Sequence, residues 1–140
     1  MPEPIKTNAI FTDLSGRFQN TQTVQNSPIA ANAETIIGTL AIAGFGDTAI
    51  VSGVQIDAWA AFTVGTSGTA ATLRVRQTNV AGNVVVTSGA VTVVAANLVQ
   101  ESVLGFDATP GVATYVLTLQ ITAGAANTTV SAIGLQATLV

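Results

Sequence analysis

The stretch "VSGVQIDAWAAFTV", residues 51–64, decides the fold class. Val54, Ile56, Ala58, Ala60, Phe62 and Val64 fall on one parity, and Gln55, Asp57, Trp59 and Thr63 on the other. A period of two is the signature of an extended chain with one buried face. The same period continues outward. In "TAATLRVRQT", residues 69–78, Ala71, Leu73 and Val75 oppose Thr72, Arg74 and Arg76. "TYVLTLQIT" sets Tyr115, Leu117, Leu119 and Ile121 against Val116, Thr118, Gln120 and Thr122. The C-terminal stretch places Ile133, Leu135, Ala137 and Leu139 together, and "ETIIGTLAIAG" predicts an early strand of Ile36, Leu40 and Ile42.

Between these runs lie turn signals: "GTSG", "NVAGN", "SG" and "DATPGVA", rich in Gly, Asn, Asp and Pro. "VVVT", "AVTVVAA" and "LVQESVLGF" supply further extended segments. Roughly eight strands with short turns and no helical period predict an all-β protein, an antiparallel two-sheet sandwich of jelly-roll type. Residues 1–34 read differently. They hold Pro2, Pro4 and Pro28, many Asn, Gln and Thr, and sparse large apolar residues. The expectation is an extended N-terminal arm over 1–34, anchored on a neighbour by Phe11, Leu14 and Phe18, followed by a sandwich over 35–140.

Composition narrows the function. Charged residues make up 8% of the 140, against roughly 25% in an average soluble protein, while apolar residues make up 49% and mean hydropathy is +0.57. No uninterrupted apolar run is long enough for a membrane helix, and the seven aromatics (five Phe, one Trp, one Tyr) form no girdle. The opening "MPEPIKTNAIF" lacks the basic start and apolar segment of a secretory signal. There is no cysteine and no histidine, which removes disulfides, the usual ligands of zinc, copper and iron, and the usual base of hydrolases. A net charge of −3 and a pI near 4.4 argue against a nucleic-acid surface. No enzyme, cofactor or metal, and no nucleic-acid or membrane partner, is therefore expected. What remains is a body whose strands carry apolar residues at both parities, as in "VVVTSGAVTVVAA", so that one face fills the core and the other needs a partner.

The runs "ATLRVRQTNVAGNVVVTSGAVTV" and "TPGVATYVLTLQITAGAANTTVSAIGLQATLV" resemble small jelly-roll modules of bacteriophage virions, the decoration and spike-like proteins whose fold is similar to the tumour-necrosis-factor family. The resemblance covers residues 35–140. It implies a homotrimer on the virion surface, a capsid decoration, cement or spike-like subunit whose partners are its own copies and a major capsid or other virion protein.

Three groups of residues are candidate sites. Arg74 and Arg76 lie about 7 Å apart on one strand face, and the expected role is an intersubunit salt bridge with Glu101 or Asp57. Asp57 and Trp59 share a face, and an indole beside an acid suits stacking and hydrogen bonding to a sugar, the basis of an alternative reading as a receptor- or carbohydrate-binding module. Asp47, Asp57 and Asp107 offer calcium oxygens but lie far apart in the sequence, with no Asp-rich loop.

Overall fold

A computed structural model describes residues 18–25, 29–42, 53–65, 70–108, 114–122 and 128–140. Phe11 and Leu14 lie outside the described residues, as does Asp47. Among the described residues the fold is all β, without helix, and no helix is long and apolar enough to cross a membrane. The strands are β1 (Phe18–Thr21), β2 (Glu34–Ala41), β3 (Val54–Thr63), β4 (Ala70–Gln77), β5 (Val84–Thr87), β6 (Val91–Thr92), β7 (Leu98–Asp107), β8 (Thr114–Thr122) and β9 (Thr129–Leu139).

They form two antiparallel sheets packed face to face. The first, here the A sheet, has the order β1-β9-β3-β7; the second, the B sheet, has β2-β8-β4-β5, with β6 also pairing β4. Successive strands cross from one sheet to the other except along β4, β5 and β6, which is the jelly-roll connectivity expected from the alternating runs. The inward parity of each run meets in one core. Val54, Ile56, Ala58, Ala60 and Phe62 from β3 are fully buried, as are Leu73 and Val75 from β4, Tyr115, Leu117, Leu119 and Ile121 from β8, and Leu135 and Ala137 from β9.

Three features depart from the sequence reading. Part of the 1–34 stretch is on the sandwich: β1 is an edge strand of the A sheet with Phe18 paired to Thr138, and Val24 and Ile29 pack against the core. In β2 a register shift between Ile36 and Gly38 turns Ile37, not Ile36, into the core. Because the side-chain period is two, one extra residue reverses every face beyond it. "AVTVVAA" is not a full strand either, since only Val91 and Thr92 pair, and the chain turns at Ala96, whose φ is 63°.

Candidate functional site: two unlike outer faces

Burial alternates strictly along β4, so Thr72, Arg74 and Arg76 do emerge on the outer face of the B sheet. Strand pairing then decides what they meet. β8 lies between β4 and β2, and the first residue of β2 is Glu34. Arg76 donates from Nε and Nη2 to the two Glu34 carboxylate oxygens at 2.7 and 2.8 Å, a bidentate fork, and from Nη1 to the Gly82 carbonyl at 2.9 Å. Arg74 Nη1 donates to Gln120 Oε1 at 2.7 Å and lies 3.8 Å from Glu34. Thr118, fully buried between them, donates its hydroxyl to Glu34. Burial alone would push the Glu34 carboxyl up; the hydrogen bonds from Arg76 and Thr118 and the charges of both arginines outweigh it and hold the group below the usual carboxylate range.

Within the chain the arginines meet an acid that the sequence does not single out. The acid is Glu34 of the same chain, and neither Glu101 nor Asp57 takes part. Glu101 faces inward from β7 and is 6% exposed, with Oε2 accepting from Ser88 Oγ at 2.8 Å. Burial raises its pKa, and the Ser88 hydrogen bond only partly offsets this.

The outer face of the A sheet has the opposite character. Pairing places Phe18, Thr138, Gln55 and Phe106 in one rung, Asn20, Gln136, Asp57 and Leu104 in the next, and Gly134, Trp59 and Ser102 in a third. Leu104 is 64% exposed, Leu98 66%, Phe18 53% and Phe106 52%. β7 mixes polar and apolar residues on both sides: its acids Glu101 and Asp107 point in beside Val99 and Val103, and Leu98, Leu104 and Phe106 point out beside Gln100 and Ser102. Asp107 is satisfied inside, where Gln77 Nε2 and the Tyr115 hydroxyl both donate to its Oδ2 at 2.7 Å. Trp59 lies down over Gly134, so closely that a Cβ on that glycine would sit 2.2 Å from the indole Nε1. Asp57 is exposed beside it, with one long hydrogen bond from Gln136 at 3.4 Å.

The structure therefore brings Asp57 and Trp59 together on one face and the two arginines together on the other, while Glu101 belongs to neither. Glu34 is not legible as a partner in the sequence because nothing local links it to residues about 40 positions later; the one available signal is that it opens a strand whose face is otherwise uncharged. Asp57 and Asp107 point to opposite sides of the A sheet and share no site.

No family model matches the chain, and no curated protein matches it in sequence. Solved structures do match in fold. A chain of infectious bursal disease virus, Gx strain, superposes with a TM-score of 0.62 at 11% identity, covering 88% of this chain and 32% of that one. VP2 of the subviral particle of the same virus gives 0.59 at 12% identity, covering 88% and 32%. The chain thus spans about a third of the length of these viral proteins, and at such identities the likeness is one of fold. A chain of Bacillus endospore appendages, a family of disulfide-linked pili, matches at 20% identity with coverage of 88% and 89%, but its TM-score of 0.45 carries no structural argument.

Proposed function

We propose that the chain is a structural subunit of a virion-type assembly, which associates with copies of itself through the outer face of the A sheet. The observation that carries this is that Phe18 on one edge strand and Leu98, Leu104 and Phe106 on the other stand exposed on a sheet face whose one outward charge among the described residues is Asp57. Large apolar side chains left exposed on the edge strands of one sheet of a charge-poor protein suit a covered surface. The jelly-roll fold shared with virus-particle chains supports the setting. The resemblance to phage decoration and spike-like modules supports a homotrimer on the virion surface. In this reading the stretch ahead of Phe18, with Phe11 and Leu14, attaches the body to a major capsid or other virion protein, and no catalysis is assigned.

Native mass spectrometry of the full chain tests the association. A trimer that Leu104→Lys with Phe106→Lys converts to monomers is the expected result; a wild-type monomer at micromolar concentration overturns it. Attachment is tested separately with Phe11→Asp and Leu14→Asp, which should keep the trimer and lose particle binding. Asp57 and Trp59 on the same exposed face keep the carbohydrate reading specific enough to test: glycan binding abolished by Trp59→Ala, in a protein that remains monomeric, would favour it.

A further inference from the structure

The edge of the B sheet beside β4 is made in two pieces, β5 and β6, and Ser88 fills the break. Its amide donates to the Leu73 carbonyl at 2.8 Å, and its Oγ accepts from the Leu73 amide at 2.9 Å, replacing the missing strand. Two more oxygens approach the same Oγ: the Gly89 carbonyl at 3.0 Å and Glu101 Oε2 at 2.8 Å. A serine hydroxyl has one proton, so it can donate to only one of them. If Glu101 is ionised, one acceptor goes without a hydrogen and a charged carboxylate sits buried. If Glu101 Oε2 carries a proton, it donates to Ser88 Oγ, the hydroxyl donates to Gly89, and every short contact has its hydrogen.

The surroundings point the same way. Glu101 Oε1 is buried and has no hydrogen-bond partner among the described residues, which is far less costly for a neutral acid than for an anion. Among the described residues no cation faces the group. Against β7 pack β3, β5 and β4: Asp57 of β3 points to the outer side of the A sheet, β5 has no charged residue, and Arg74 and Arg76 of β4 lie on the outer B face with Glu34. On β7 itself Asp107 is engaged with Gln77 and Tyr115. Burial shifts Glu101 upward in the same sense.

We propose that Glu101 is held as the neutral acid where β7 closes on the Ser88 segment, and that loss of its proton to solvent releases this seam. The seam joins the edge of the A sheet to the edge of the B sheet, so its release loosens the contact between β7 and the Ser88 segment while the ten-residue pairing of β7 with β3 stays in place. The proposal is independent of what covers the outer face of the A sheet.

The test is carboxyl NMR on the full-length protein, with Glu101 assigned through Glu101→Gln, alongside amide exchange at Leu73 and Ser88. Glu101 is expected to titrate above 4.5, its ordinary value. Between 4.5 and its own pKa, amide protection, corrected for the intrinsic rise in exchange, should fall about tenfold per pH unit and then level off. Glu101→Gln, which keeps a neutral donor, should remove that slope. Titration at or below 4.5, or protection that does not change with pH, overturns the proposal; if Glu101→Gln does not fold, the wild-type titration still decides.

Discussion

The two outer faces of this sandwich have the same strand geometry and opposite chemistry. Six charged residues lie among the described ones: Glu34, Asp57, Arg74, Arg76, Glu101 and Asp107. Three of them form one network across the B sheet, with side chains only 14–22% exposed, whereas the outer A face has Asp57 as its one charge, with exposed Leu and Phe on its edge strands and uncharged polar residues between them. Low overall charge is therefore not spread evenly. One face is closed by its own ion pairs and hydrogen bonds; the other leaves Leu and Phe exposed on its edge strands. A hydropathy average cannot distinguish these, because the difference lies in which strand neighbours which.

The strongest way to break the contrast is Glu34→Ala. It leaves Arg76 without its bidentate partner and Arg74 without an anion, in a partly buried setting, and should lower unfolding free energy by about 3 kcal/mol. A shifted denaturant midpoint at unchanged slope is the expected reading; a shift under about 0.5 kcal/mol would class the network with ordinary surface ion pairs. Next is Gly134→Val, which puts a side chain where the Trp59 indole lies. Repacking there should cost about 2 kcal/mol and expose the indole, while leaving the Arg76–Glu34 pair intact. Unchanged stability and tryptophan emission would show that Trp59 moves aside freely.

These contrasts were only partly readable beforehand. The alternation of 54–64, 70–77 and 114–122 identified the core and set Arg74 beside Arg76, because side-chain parity is a local property. β1 was hidden: "FQNT" has one large apolar residue, and that one faces outward, so only backbone pairing with β9 makes it a strand. β7 is legible as an extended segment, but which way its residues face is not. Its inward acids and outward Leu and Phe contradict the usual rule, and only its ten-residue pairing with β3 shows which way it faces. Glu34 met its arginines through β8, a neighbour that strand order alone reveals.

Acidity should separate the regions further, with a smaller effect. Glu34 is depressed in the folded state, so its stabilisation is complete above 4.5, its ordinary value, and is lost as pH falls through the folded pKa. Glu101 is raised, so its contribution is complete below 4.5 and is lost as pH rises through its folded value. The stability that wild type gains over Glu34→Gln should therefore shrink in acid, while the stability of Glu101→Gln relative to wild type should rise with pH. Parallel pH profiles would contradict the opposite signs. The smallest effect tests the turn behind Arg76. Thr78 has a φ of 71°, where a β-branched residue is strained, and Thr78→Asn should raise stability by about 0.5–1 kcal/mol. A loss would show that the hydroxyl or methyl does more than tolerate the turn.

The measurement that bears most directly on the uneven faces is the fluorescence of Trp59, the single tryptophan, which stands on the A-sheet face. If copies cover that face, emission should shift to the red and acrylamide quenching should rise on dilution through the dissociation range, with Leu104→Lys showing the diluted spectrum at every concentration. A spectrum and quenching constant that stay the same from concentrated to dilute protein, while the protein remains oligomeric, would place the contact elsewhere and contradict the account.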